Sequence, residues 1–259
     1  MTRIIAITNQ KGGVGKTTTC VNLGATLSEM GYEVLVVDFD PQGNATSGSG
    51  VAKRDIEFDV RGLLLGEGSF REACVMGTAA GYDLLPSDIQ LTEAEVALIS
   101  AEKGQFRLKE ILRQQANSYD FVLIDCPPAL SMLTINGLVA ADGVIIPVQC
   151  EFYALEGIAA LIETIEQVRA THNPNLAIDG VLRTMYDPRT SLTRQVSAQL
   201  EQFFDERVFK TVIPRNVRLA EAPSHGLPVL RYDRLSKGAL SYLALASELR
   251  KRLRLKKVA

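Results

Sequence analysis

A glycine-rich run between an apolar stretch and a helical pattern is the strongest chemical signal in the sequence. It reads Gln10-Lys-Gly-Gly-Val-Gly-Lys-Thr-Thr18. Its glycines permit a tight turn in which successive backbone N–H groups face one anion, and the following helix directs the positive end of its dipole there. Lys16 would then reach the β- and γ-phosphates of a nucleotide, and the Thr17 hydroxyl would bind Mg²⁺. The alternative is a glycine-rich turn without a ligand. The match to G-x-x-x-x-G-K-[ST] is imperfect, because Gln10 stands where glycine is usual and a second lysine, Lys11, follows it.

Three carboxylates lie at or just beyond the ends of apolar strand patterns. The run Phe121-Val-Leu-Ile-Asp125 ends in Asp125, an arrangement that holds Mg²⁺ through water in proteins with such loops. A second run, Val34–Asp38, ends in Asp38, which is either a strand-end cap or a group behind the metal ligands. Asp40 lies beyond that strand and is better placed to orient an attacking water. The alternative for Asp40 is a turn former before the following proline.

The elements that must position these residues follow from the spacing of apolar side chains. Short apolar runs without alternation predict buried parallel strands at Arg3–Thr8, Glu33–Asp38, Phe121–Asp125, Gly143–Val148, Ile178–Met185 and Arg207–Ile213. Helical spacing predicts helices at Thr17–Met30 (capped by Gly31), Leu155–Ala170 and Leu240–Leu253. Residues 39–60 and 66–80, rich in Gly, Ser and Asp, predict loops or short helices. Alternating strands and helices predict an α/β fold with a doubly wound, mostly parallel sheet flanked by helices.

The composition is that of one globular domain. The 259 residues are 46% hydrophobic and 22% charged, without an internal repeat or linker, so we expect a single domain over residues 1–259. These values exclude intrinsic disorder. No apolar run approaches the roughly 18 residues of a membrane-spanning helix or forms a secretory signal, so we expect a cytoplasmic protein. The four cysteines are irregularly spaced, which favours buried thiols over a disulfide framework or a zinc site.

The net charge of −2 conceals a basic C-terminal tail at about residues 250–259. Six cations and no acid occur in residues 250–257, so the rest of the chain is more acidic than the total indicates. A milder excess lies in residues 183–218, which contain seven Lys or Arg against four acids. By composition alone, an ordinary solvated face explains that excess better than a binding surface does.

Together these stretches resemble those of the deviant Walker A P-loop ATPases, and among them the ParA/Soj chromosome-partitioning ATPases, which are related to MinD. The resemblance covers nearly the whole chain. It is carried by Ile7–Thr18, Val37–Thr46, Leu123–Pro128, Ile145–Cys150, Glu156-Gly157 and Val212–Gly226. The glycine-rich loop alone identifies the superfamily, and the later blocks single out the Soj-like members.

The resemblance implies an ATPase that uses ATP and Mg²⁺. Lys11 is similar to a signature lysine that crosses a dimer interface to the partner's nucleotide. The alternative for Lys11 is a solvated surface lysine. Lys16 and Asp40 resemble the other catalytic groups, a phosphate-binding lysine and a water-activating aspartate. The implied nucleotide contacts are Lys11, Gly12, Gly13, Val14, Gly15, Lys16, Thr17 and Thr18, with adenine near Met185, Pro214 and Asn216. The implied Mg²⁺ ligands are Thr17 and, through water, Asp125 and Asp40.

The resemblance also implies partners. An ATP-bound homodimer would bind double-stranded DNA through Arg189 and Arg218, and because no base-reading motif is present we expect sequence-independent phosphate contacts. A ParB-like protein would stimulate a slow ATPase, and the dimer would associate with the nucleoid.

Two alternatives belong to other classes. A MinD-like spatial regulator of cell division would cycle on a membrane through a short C-terminal amphipathic helix. Here Leu249, Leu253 and Leu255 intersperse the cations of the tail without a Phe or Trp anchor, so no stable membrane association is expected and the tail supplements DNA binding or is solvated.

A metabolic enzyme on the same scaffold would be a dethiobiotin synthetase-like ligase or an iron-protein reductase. The cysteine spacing disfavours the reductase, and the ligase would need a carboxylate-substrate pocket that the sequence does not identify.

Overall fold

A parallel seven-stranded sheet forms the framework of the computed structural model, which describes residues 2–115 and 117–254. The strands are β1 (Arg3–Ile7), β2 (Val34–Asp38), β3 (Asp83–Leu85), β4 (Phe121–Asp125), β5 (Gly143–Gln149), β6 (Ala177–Tyr186) and β7 (Val208–Pro214). Their order across the sheet is β3-β2-β4-β1-β5-β6-β7, and every strand pairing is parallel. The predicted doubly wound α/β architecture is therefore confirmed.

Helices connect the strands and cover both faces of the sheet. They are α1 (Lys16–Glu29), α2 (Asn44–Gly48), α3 (Val60–Leu65), α4 (Phe70–Ala73), α5 (Leu91–Ser100), α6 (Arg107–Gln114), α7 (Met132–Ala140), α8 (Ala154–Thr171), α9 (Ser191–Phe204), α10 (Val217–Glu221), α11 (Val229–Tyr232) and α12 (Lys237–Arg252). Short 3₁₀ helices occupy Lys53–Asp55, Gly104–Phe106, Asp205–Arg207 and Ala222–His225. Within these described residues, no helix combines the length and the apolar character needed to span a bilayer.

The hydrophobic core consists of two layers, one on each face of the sheet. One layer packs α3 and α5 to α9 against β1, β2, β4 and β5, and the other packs α1, α11 and α12 against the opposite face. Strands covered on both faces must be apolar throughout, which explains why their sequences lack alternation. The four cysteines are buried free thiols, as predicted.

The strand register places the chemically important ends side by side. Ile7, the last residue of β1, pairs with Asp125, the last residue of β4, and Asp125 also pairs with Asp38 at the end of β2. The glycine-rich loop, which follows β1, therefore begins beside both carboxylates. This is the carboxyl edge of a parallel sheet, at the strand where the winding direction changes, and such edges bind ligands.

The C-terminal helix fixes part of the predicted basic tail. Arg252, the last residue of α12, forms a 2.7 Å ion pair with Glu248, donates a 2.7 Å hydrogen bond to the carbonyl of Val208, and stacks 4.3 Å from the ring centroid of Phe209. Arg252 is thus engaged with the body of the protein. Lys256 and Lys257 of the predicted tail, together with Leu255, lie outside the described residues.

Candidate active site

The glycine-rich loop joins β1 to α1 in a conformation that only glycine adopts easily. Gly13 and Gly15 have φ angles of +72° and +89°, in the left-handed region that residues with a Cβ rarely occupy. The hydroxyl of Thr184, near the end of β6, donates a 2.7 Å hydrogen bond to the carbonyl of Val14. This hydrogen bond ties the loop to the end of β6.

One pocket is lined by residues from four separate parts of the chain. It is lined by Gly12, Gly13, Gly15, Lys16, Thr17, Thr18, Asp40, Gln42, Asn44, Pro128 and Met185. These include six of the eight predicted nucleotide contacts of the loop, the predicted water-activating aspartate and one of the predicted adenine neighbours. Of the other predicted residues, Val14 is a buried residue of the same loop and Asp125 is buried close to Lys16 and Thr17.

The ammonium group of Lys16 is enclosed by the loop. Its Nζ donates a 3.1 Å hydrogen bond to the carbonyl of Lys11, and the whole residue is only 7% exposed. Burial lowers the pKa of Lys16, whereas the carboxylates of Asp125 and Asp40 oppose that shift. The site thus offers a partly desolvated cation at the position where a phosphate would enter.

The carboxyl group of Asp125 is fully buried. No donor among the described residues meets hydrogen-bond geometry at either of its oxygens, although Thr17 is near enough for its hydroxyl to lower the pKa. Burial, and then the charge of Asp38, outweigh that effect and raise the pKa of Asp125 well above its ordinary value. A hard cation with oxygen ligands would satisfy this carboxylate, so Asp125 and Thr17 fit Mg²⁺.

Asp38 and Asp40 have different surroundings. One oxygen of Asp38 accepts hydrogen bonds from both the backbone N–H and the hydroxyl of Thr46, each at 2.7 Å. Burial raises the pKa of Asp38 to about 6 despite these donors. Asp40 lines the pocket and also accepts a 2.9 Å hydrogen bond from the N–H of Gln42, so the turn-forming role that the sequence left open is compatible with its exposure to the pocket.

An apolar pocket adjoins the first one and shares Gly15, Thr18 and Met185 with it. Its other lining residues are Thr184, Ile213, Pro214, Arg215, Asn216, Leu219, Ala220 and Tyr242. The buried Oδ1 of Asn216 has no hydrogen-bond donor among the described residues. An apolar slot with one free amide acceptor suits a flat heterocycle that carries an exocyclic amine, and adenine has this character. The structure therefore brings together Met185, Pro214 and Asn216, and their contact with adenine stays a prediction.

Lys11 faces a residue that the sequence analysis did not single out. Its Nζ forms a 2.6 Å ion pair with Glu151, which follows β5. Its backbone N–H donates a 3.0 Å hydrogen bond to the side chain of Asn9. The matching block Ile145–Cys150 ends immediately before Glu151, so the resemblance did not identify this residue. Contact of Lys11 with a second subunit stays a prediction.

The two arginines predicted to contact DNA are exposed and paired with acids of the same chain. Arg189 bonds to Asp187 at 2.7 and 2.9 Å, and these bonds lower the pKa of Asp187 to about 2. Arg218 lies 2.8 Å from Glu221 and 3.2 Å from Asp233. Exposed pairs of this kind contribute little to stability, so both guanidinium groups remain free to exchange a carboxylate for a phosphate. Their binding to DNA stays a prediction.

Comparisons with known proteins agree with this geometry. A family model described as an AAA domain matches residues 2–178. The chromosome-partitioning ATPase Soj of Thermus thermophilus is 52% identical, over 97% of this chain and 96% of its own length. The chromosome partitioning protein ParA of Caulobacter vibrioides is 47% identical, over 95% of this chain and 93% of its own. A crystal structure of cobyrinic acid a,c-diamide synthase from Mycobacterium smegmatis, with bound ADP and magnesium, is 38% identical with a TM-score of 0.87, and covers 100% of this chain and 98% of that one.

Proposed function

The chain belongs to the ParA/Soj family of chromosome-partitioning ATPases, and from that premise we propose that it is a switch that dimerises around ATP and Mg²⁺, binds DNA as a dimer and releases it on hydrolysis. Sequence identity favours partitioning over the synthase activity named for the 38% identical structure, because the partitioning relatives reach 52%.

The single observation that carries the ATPase assignment is the buried carboxylate of Asp125 beside Lys16 at the base of the glycine-rich loop. A buried carboxylate is costly to ionise without hydrogen-bond donors, and neither oxygen of Asp125 has one among the described residues. A Mg²⁺–triphosphate would satisfy both groups at once, since the cation suits Asp125 and the phosphate oxygens suit Lys16. The adjoining apolar pocket with Asn216 would hold the base.

In the proposed hydrolysis the chain acts mainly by positioning and electrostatics. The loop N–H groups and the ammonium of Lys16 would hold the phosphate oxygens and stabilise the charge that develops on the transferred group. The carboxylate of Asp40, which lines the same pocket, would orient the attacking water. Bound Mg²⁺ would neutralise charge on the β- and γ-phosphates, with Thr17 as a ligand and Asp125 and Asp40 acting through water.

A second subunit would complete the site through Lys11. The transition state of phosphoryl transfer carries charge on several oxygens, and a cation supplied by a partner is a recurring way to neutralise it. The side chain of Lys11 would leave Glu151 and reach the nucleotide of the facing subunit. ATP would then hold two subunits together, and its hydrolysis would let them separate.

Dimerisation alone would increase the affinity for DNA, because it doubles the number of arginines that contact phosphates. Each phosphate neutralised by an arginine adds about 0.9 to the slope of log affinity against log salt, so a dimer that presents two copies of Arg189 and Arg218 doubles that slope. A monomer would bind weakly at physiological salt, and the ATP-bound pair would bind firmly. A ParB-like protein that stimulates hydrolysis, and association with the nucleoid, complete the proposed cycle.

A gel shift combined with light scattering tests the proposal. The chain is mixed with a random DNA duplex and with Mg²⁺ plus a non-hydrolysable ATP analogue, Mg²⁺ plus ADP, or no nucleotide. We expect a dimer and retarded DNA only with the analogue. A monomer under all three conditions would refute the switch. Flotation with anionic vesicles in the presence of ATP, without DNA retardation, would favour a MinD-like membrane cycle instead.

A further inference from the structure

A buried hydrogen-bond network contacts the backbone of Asp40 and includes residues that have no assigned role in the proposed reaction. Its centre is Thr46, a fully buried residue in α2. The Thr46 hydroxyl donates to the carboxylate of Asp38 at 2.7 Å and accepts a 3.0 Å hydrogen bond from the backbone N–H of Ser87, just beyond β3. The Ser87 hydroxyl in turn donates a 2.7 Å hydrogen bond to the carbonyl of Asp40.

This network anchors both ends of the segment that carries Asp40. At one end the N–H of Asp40 donates to Oδ1 of Asp38 at 3.4 Å, and at the other the N–H of Thr46 donates to Oδ2 at 2.7 Å. The two oxygens of one buried carboxylate therefore fix the start and the end of the segment. Within it, the N–H of Gly43 donates a 2.8 Å hydrogen bond to the carbonyl of Asp40 and closes a turn.

Close packing shows that the segment has little freedom to adjust. Gly43 has a φ angle of +58°, and a Cβ at this position would lie 2.5 Å from the carbonyl oxygen of Ser87. The backbone of the segment with Asp40 therefore packs directly against the backbone of the segment after β3. The hydrogen bond from the Ser87 N–H to the Thr46 hydroxyl connects the same two segments. A shift of the segment after β3 would move Asp40 with it.

We propose that the Thr46 hydroxyl is a positioning group that fixes the Asp40 carboxylate relative to the phosphate pocket. This inference rests on the proposed ATPase function. Thr46 holds Asp38, the segment after β3 and α2 in one arrangement, and its own side chain reaches neither the pocket lining nor the reacting atoms. Misplacement of a catalytic group by about 1 Å can cost 100-fold in rate, so such support affects turnover more than nucleotide binding.

The test compares three variants by steady-state hydrolysis at saturating Mg²⁺ and by titration with a non-hydrolysable ATP analogue. Thr46→Val keeps the shape and removes the hydroxyl, whereas Thr46→Ser keeps the hydroxyl. The matched control is Thr26→Val, because Thr26 is equally buried and its hydroxyl bonds only to the Asn22 carbonyl within α1. For Thr46→Val we expect kcat to fall at least tenfold while KM and the analogue affinity stay within twofold. Thr46→Ser and Thr26→Val should stay within threefold of the wild-type kcat.

Two results would overturn the proposal. One is a Thr46→Val kcat within twofold of the wild type, and the other is a Thr46→Ser enzyme as impaired as Thr46→Val, which would assign the effect to packing. If Thr46→Val does not fold, Ser87→Ala decides, with a fall in kcat of threefold or more at unchanged KM as support and a wild-type kcat as refutation. Absence of hydrolysis by the wild-type chain would instead refute the proposed function itself.

Discussion

Nζ of Lys11 lies 2.6 Å from Oε2 of Glu151 in the same chain. The two side chains are 38% and 47% exposed, so water screens the pair and it contributes at most about 1 kcal/mol. Directly after Glu151, the residues Phe152 and Tyr153 are 75% and 67% exposed, and their rings contact each other edge to face. The lysine proposed to act across an interface is thus weakly held by a residue that precedes an exposed aromatic pair, and aromatic residues are enriched at protein interfaces.

Lys11→Ala should abolish ATP-dependent dimerisation, because the proposed contact with the partner's nucleotide is lost. Glu151→Gln is its control, since it breaks the same ion pair and leaves the ammonium in place. Light scattering with the non-hydrolysable analogue should show a monomer for Lys11→Ala and a dimer for Glu151→Gln. Equal dimerisation of both variants would show that Lys11 has no role between subunits.

Asp40→Ala should separate ATP binding from hydrolysis. Loss of a group that orients or activates water costs about 100-fold or more in kcat, whereas the loop and Lys16 still hold the nucleotide. The variant should accumulate as a DNA-bound dimer in ordinary ATP. Asp55→Ala, at an exposed acid on the nearby 3₁₀ helix, is the control and should turn over normally. Wild-type turnover by Asp40→Ala would remove Asp40 from the mechanism.

Long apolar strands were predictable from sequence, and the shortest one was not. The six predicted strands agree with the structure to within about two residues, because strands buried on both faces must be apolar throughout. β3 has only three residues, Asp83–Leu85, too few for a pattern to be read. Helix α12 begins three residues before the predicted start because Ser236 caps it, its hydroxyl accepting a hydrogen bond from the N–H of Ala239. That cap was a signal in the sequence that the apolar spacing did not capture.

The site shows the same division between local and long-range information. The glycine-rich loop and the strand-end carboxylates are local patterns, so their meeting at one sheet edge followed from the parallel topology. The partners Glu151, Thr46 and Ser87 contact the site through side-chain geometry between distant segments. A single sequence contains no spacing rule for such contacts, so the structure was needed to find them.

Arg218→Ala and Arg189→Ala should weaken DNA binding without affecting ATP-dependent dimerisation. Each substitution removes two phosphate contacts from a dimer and should reduce the salt slope of DNA affinity by about 1.8. Arg54→Ala is a matched control, because the Arg54 side chain is 88% exposed, against 89% for Arg189, and is likewise paired with a nearby acid, Asp55. Fluorescence anisotropy of a random duplex over a salt series measures the effect. Unchanged slopes in both variants would place the DNA surface elsewhere.

The buried pair Asp38 and Asp125 should make the nucleotide-free fold less stable as pH rises. Burial raises the pKa of Asp38 from 3.8 to about 6, and that of Asp125 well above 3.8. Between about pH 4 and 6 the folded chain therefore keeps protons that the unfolded chain has lost, so the free energy of unfolding falls as pH rises. For Asp38 the loss is about 3 kcal/mol at most, at 1.36 kcal/mol per unit of pKa.

Asp125→Asn isolates this effect, because it removes one charge of the pair and relieves the repulsion on the other. Urea unfolding at pH 4.5 and pH 7 should show the variant gaining stability relative to the wild type as pH rises, with the remaining titrating groups cancelling in the difference. With saturating Mg²⁺ and ATP analogue at pH 7, we expect the wild type to be more stable than Asp125→Asn. Ligand binding stabilises the folded wild type, whereas the variant lacks the carboxylate that contributes to this binding. If the difference in free energy of unfolding between the variant and the wild type does not change with pH, these carboxylates are not desolvated in the folded protein.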